Sequence, residues 1–177
     1  MKMSTKILGR GLEILFMVLI GVIIVSAVVN SFFPEWFMGE KVMKAMEDAY
    51  GFNIKKLSFF YRGVLIFIGS ISTAMMVYGL WLGKKIAQLV SQGELISEPS
   101  AKLFTQLKKL ILYWCVFNLV QMLGTYQFLM PKMEFKMMAW SLMFMSISHL
   151  MIFIFVASIA SVVKRSARLK TDQDLTV

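Results

Sequence analysis

The chain has 177 residues, 58% of them hydrophobic, with a mean hydropathy of +0.71 and a formal net charge of +9. A soluble domain is about 45–50% apolar, so the surplus excludes an ordinary soluble domain of this length. A single cysteine, Cys115, excludes an intrachain disulfide.

The apolar excess lies in four blocks, 14–33, 63–82, 110–130 and 137–163. Each is near or above the roughly 20 residues that a helix rising about 1.5 Å per residue needs to cross about 30 Å of hydrocarbon. Strands of a membrane barrel would be about 10 residues long and would alternate, which these blocks do not. The pattern predicts an all-α integral membrane protein: one domain over 1–177, a four-transmembrane-helix bundle of two hairpins. The remaining segments are an outer loop 34–62, a helical connector 83–109 and a tail 164–177.

Charge sets the expected orientation. Twelve Lys and Arg residues lie before the first block, in the connector and in the tail, against seven in the loops of the other side. The richer side is expected in the cytoplasm, with both termini inside. The basic excess then reads as topological signal and anionic-lipid contact, not as a footprint for direct nucleic-acid binding.

Residues 1–13 form a basic lead-in, with Glu13 where the first span begins. The apolar run after it is too long for a secretory signal, and SAVVNS offers no small-x-small cleavage site, so an uncleaved helix is expected. Pro34 ends that span, because proline cannot donate to the helix ladder. In the outer loop, Trp36, Val42, Met43, Met46, Ala49 and Tyr50 recur at helical spacing opposite Glu40, Lys41, Lys44, Glu47 and Asp48. This predicts an amphipathic helix at the membrane surface, either space-filling beside the bundle or acting as a lid or docking surface. Gly69, Thr73 and Gly79 suggest a loose small-residue packing stripe on the second span.

The connector is the only long charged, punctuated and still amphipathic stretch. The second helix should run on through Ile86, Leu89 and Val90 and stop at Gly93. Ser97 and Pro99 should restart a helix through Leu103, Phe104 and Leu107, so that two short helices fold against each other below the bilayer.

The run Gly93-Glu94-Leu95-Ile96-Ser97-Glu98-Pro99-Ser100-Ala101-Lys102-Leu103, with Leu107 and a hydrophobic span after it, resembles the central motif of the DUF2975 family. Ile96 stands where that motif usually has an aromatic residue, and Pro99-Ser100 where Glu-Asn is common. The resemblance implies a four-helix protein of the bacterial inner membrane. It implies no known activity, and a membrane or cytoplasmic regulatory partner such as a helix-turn-helix regulator.

Polar residues within the spans supply a second candidate site. Asn118, Gln121 and Thr125 share a broad face of the third span, and His149 lies at similar depth in the fourth. The short turn 131–136 makes these two spans antiparallel neighbours, so a hydrogen-bonded cluster of Asn118, Gln121 and His149 is expected. An ionisable residue in a span raises proton relay, pH sensing or ligand binding. A neutral imidazole that simply braces the bundle is the competing reading. Sixteen methionines, with Met130, Met133, Met137 and Met138 near one turn, raise Cu(I). Methionine is also the adaptable filler of apolar interfaces, and no Cys or His lies near that group. HExxH, Walker, CxxC and GxSxG motifs are absent from the sequence.

These readings lead to a non-enzymatic regulatory or accessory membrane protein needing no cofactor or metal. Its expected docking residues are Lys84, Lys85, Leu89, Glu94, Glu98 and Lys102, together with Lys164, Arg165 and Arg168 of the tail. Self-association to a homo-oligomer is compatible with the pattern. The alternatives are a small transporter or channel subunit using the Asn118–Gln121–His149 cluster, or a lipid-binding, membrane-remodelling protein built on the outer helix.

Overall fold

Proline, glycine and serine punctuate the chain into helices. In the computed structural model, which describes residues 2–32, 34–51, 57–129 and 134–175, these are α1 (Lys2–Phe32), α2 (Pro34–Tyr50), α3 (Phe59–Gln92), α4 (Glu98–Leu129) and α5 (Phe135–Leu175). There is no strand among the described residues. Pro34 opens α2, where its missing N–H costs no helix bond. Gly51, at φ 71°, follows α2 and donates its N–H to the Glu47 carbonyl at 2.9 Å. Ser58 caps α3 by accepting the Tyr61 N–H. The side chains of Trp36 and Tyr50, and the turn residues 130–133 with Met130 and Met133, lie outside the described residues.

Four helices, α1, α3, α4 and α5, are long and apolar enough to cross a membrane. Their apolar side chains face outward: Phe59 is 94% exposed, and Phe144, Phe155 and Met151 are also open. Among the described residues, burial is confined to a few positions, Gly9, Leu82, Ala87, Ser100, Ala101, Ala160, Val163 and Ala167, all toward the connector end. So little covered apolar surface could not hold a water-soluble domain together, whereas a lipid solvent requires no such core.

Packing runs serially, α1 on α3, α3 on α4 and α4 on α5, with α2 resting on α1. The bundle expected from the sequence is therefore an open one, with no extensive α1–α5 packing among the described residues. Neighbouring long helices are antiparallel. Gly9 meets Ser91 and Phe16 meets Gly83 between α1 and α3, Gly79 meets Leu110 between α3 and α4, and Ala101 meets Val163 and Ala167 between α4 and α5.

Of the expected stripe, a Cβ on Gly79 would meet the Leu110 side chain at 3.4 Å, but the closest approaches lie elsewhere. A Cβ on Gly69 would meet nothing within 4 Å, whereas one on Gly9 would lie 2.7 Å from the Ser91 backbone. One on Gly83 would lie 2.9 Å from the Phe16 ring. The small residues that bring two backbones together thus stand at the charged end of α1 and α3. The two connector helices are the expected extensions of the long helices beyond the apolar blocks. Each is the unbroken continuation of a long helix, α3 to Gln92 and α4 from Glu98. On α2, Met43 and Met46 are partly sheltered while Val42 and Ala49 are exposed, so only part of the expected apolar face is covered.

Candidate functional site

The tip between α3 and α4 is built by local chemistry. Gly93 adopts φ 79°, a left-handed conformation open to glycine, and its N–H reaches the Val90 carbonyl at 3.1 Å. The Glu94 N–H donates to Leu89 at 2.8 Å, completing the stop. Ser97 then restarts the chain. Its hydroxyl donates to the Glu94 carbonyl at 2.7 Å and accepts the Ser100 N–H at 3.3 Å. Pro99 sits in the first turn, where no N–H is needed. Between the two caps, Leu95 and Ile96 stand 39% and 46% exposed. Two exposed apolar side chains thus stand on a turn held at both ends.

The expected docking residues divide into two groups. Lys84 and Lys85 turn to the protein itself. Lys84 Nζ lies 3.8 Å from Glu13 Oε1, and Gln88 donates to the same oxygen at 2.7 Å, so α3 holds the α1 carboxylate. Lys85 Nζ lies 3.7 Å over the Trp81 ring, which stacks on Tyr78. Leu89 is half-buried. Glu94, Glu98 and Lys102 remain exposed, the last two paired at 2.8 Å. That pairing, through the hydrogen bond and charge of Lys102, lowers the pKa of Glu98, which stands well ahead of the apolar block that begins at Leu110.

Lys102 and Glu98 also face the tail. With Thr105 and Gln106 on α4 and Lys164, Arg168, Thr171 and Asp172 on α5, they line a groove of about 600 Å³ floored by Ala101 and Ala167. Arg165, also expected to dock, is exposed but does not line it. The small floor residues let the two helices pack closely, and the longer side chains beside them form the walls.

In the spans, the hydrogen bonds of Asn118, Gln121 and His149 do not join these residues into the expected cluster. Asn118 Nδ2 donates to the Trp114 carbonyl at 2.7 Å, and His149 Nδ1 lies 2.7 Å from the Met145 carbonyl. A carbonyl only accepts, so Nδ1 carries the hydrogen in this contact. Gln121 Oε1 is enclosed without a partner among the described residues. The hub is Trp114 instead. Its Nε1–H donates to Ser72 Oγ on α3 at 3.2 Å, and its ring lies 4.9 Å from the His149 ring on α5. Cys115 adds a thiol contact to the His149 carbonyl at 3.8 Å. Helical spacing could have pointed to Trp114, since positions 114, 118, 121 and 125 share one face. The Glu13–Gln88 bond has no comparable sequence signal, because its partners are 75 residues apart. Met137 is 49% exposed and Met138 half-buried. Among the described residues, no group of three or more His, Cys, Asp and Glu is placed to hold a metal ion.

The connector motif and the four long helices agree with a family match. The family model described as "Protein of unknown function (DUF2975)" covers residues 14–177. The chain belongs to the DUF2975 family. No curated protein and no solved structure matches it. The match takes in the tip, the groove and the Trp114 hub of this DUF2975 chain, but begins just after Glu13.

Proposed function

We propose that this DUF2975 protein is a non-enzymatic regulatory or accessory protein of the bacterial inner membrane, acting by docking another protein on the α3–α4 tip. The exposed Leu95–Ile96 pair, fixed between the Gly93 and Ser97 caps, carries this reading. Exposed Glu94 and Glu98 flank it and supply a polar rim. A helix-turn-helix regulator is the candidate partner.

The orientation follows from the charges, with both termini and the tip in the cytoplasm. Exposed aromatics support the membrane placement. Tyr61 and Trp81 are separated by about 30 Å along α3, roughly the hydrocarbon thickness.

The test is affinity purification from native membranes in mild detergent and low salt, with every co-purifying protein identified. A stoichiometric partner is expected with the native chain and lost with Leu95→Asp/Ile96→Asp. A partner retained by that variant, or a chain purified with lipid alone, would overturn the reading.

One observation favours a transporter or channel subunit as a second reading, the enclosed and unpartnered Gln121 Oε1 within an apolar helix. Asn118 and His149 count against it, because both are spent on carbonyls of their own helices. Flux in proteoliposomes that is unchanged by His149→Ala and Gln121→Leu would remove this reading.

A further inference from the structure

We propose that the α4–α5 groove is a binding site for a phosphate group, presented by the headgroup of an anionic phospholipid or by a soluble phosphate. Lys164 and Arg168 stand one helical turn apart on its α5 wall, about 6 Å along the axis. Neither has a carboxylate partner among the described residues. Lys102 and the Gln106 amide face them from α4. Lys102 is held only by Glu98, in a pair more than 70% exposed on both sides, and such surface pairs contribute little. It can therefore turn to a phosphate. Thr105 and Thr171 donate to their own helix carbonyls, which leaves the lysines, the arginine and the amide as donors.

The order of charges along the groove gives the ligand its depth. The antiparallel register sets Ala101 between Val163 and Ala167, so Asp172 lies farthest from the apolar blocks, Glu98 is level with Arg168, and Lys102 is level with Lys164 beside the apolar block that ends at Val163. Lipid phosphate sits at this boundary, and basic pockets between membrane helices take such headgroups. Exposed Val162 on α5 and Leu112 on α4 continue toward the apolar side, where acyl chains can lie. A free acidic peptide entering from the end away from the apolar blocks would meet the Asp172 carboxylate first. The groove shares neither Leu95 nor Ile96, so this assignment stands or falls apart from the docking reading.

The experiment is native mass spectrometry of the full chain in detergent, titrated with phosphatidylglycerol, phosphatidylcholine or inorganic phosphate. Phosphatidylglycerol should be retained in preference to phosphatidylcholine. Lys164→Gln/Arg168→Gln should weaken that retention by roughly tenfold, since each basic group at an anionic surface strengthens attraction several-fold. Gln106→Trp, which fills the groove at an exposed position without removing charge, should weaken it as well. Lys164→Arg/Arg168→Lys should retain binding and show that the site needs the charges. Lys41→Gln/Lys44→Gln, an equal charge loss on exposed α2 positions, should change nothing. Displacement of the lipid by millimolar inorganic phosphate assigns the soluble source, and lack of displacement assigns the lipid. Equal weakening by the α2 pair, or full retention in both groove variants, would overturn the site.

Discussion

At the scale of single residues, Trp114 joins three helices through one side chain, bonding Ser72 on α3 and packing its ring against the tilted His149 ring on α5. Trp114→Phe keeps a ring but loses the hydrogen bond, and should cost about 1 kcal/mol. Trp114→Ala should cost roughly 2–3 kcal/mol, below the usual range for a fully buried aromatic because Trp114 is only half-buried. Both are measurable by denaturation in mixed micelles, and equal effects would deny the ring its share. Glu98 offers a pH test. Lys102 lowers its folded pKa below the ordinary 4.5, so its small contribution is fully present above that value and is lost as pH falls through the lowered one. Lys102→Ala should move the Glu98 titration back toward 4.5, read by NMR of the carboxyl carbon.

Elements are decided by where the backbone must do something unusual. At Gly93 the left-handed φ of 79° would strain any side chain, so Gly93→Ala should destabilise by about 1 kcal/mol. Ser97→Ala should cost a similar amount by removing the cap on Ser100. At Gly9 the obstacle is tertiary. An added Cβ meets the Ser91 backbone, which cannot rotate away, whereas at Gly83 it meets a Phe16 ring that can shift. Gly9→Ala should therefore cost roughly 1–3 kcal/mol, and Gly83→Ala less. Thermal unfolding in detergent compares the two, and the reverse order would argue against this α1–α3 packing.

For the whole molecule, the testable statement is orientation. In a Cys115→Ala background, Ile96→Cys should react with a membrane-impermeant maleimide only after the cytoplasmic face is opened. Lys41→Cys should react from the other face of intact cells. Labelling of both from one face would refute four crossings with the tip inside. The open serial packing matters at this scale too, because it leaves most apolar side chains to be covered by something other than this chain.

The amino-acid sequence alone determined the four long helices, the amphipathic α2 and the stop and restart at Gly93 and Ser97. Helix length, apolar periodicity and capping are local properties, readable within a few residues. The connector run was also enough to suggest the family. Tertiary structure decided which side chains meet. Lys84 went to Glu13, His149 went to Trp114 rather than into a cluster with Asn118 and Gln121, and the tail cations came to face Lys102 across a groove. Those outcomes depend on the rotation and register of one helix against another. Apart from the face of α4 that carries Trp114, Asn118, Gln121 and Thr125, no polar stripe marks the facing side of these apolar helices, so rotation elsewhere is set by a few small residues, such as Gly9, Ala101 and Ala167, whose role appears only once the partner backbone is beside them.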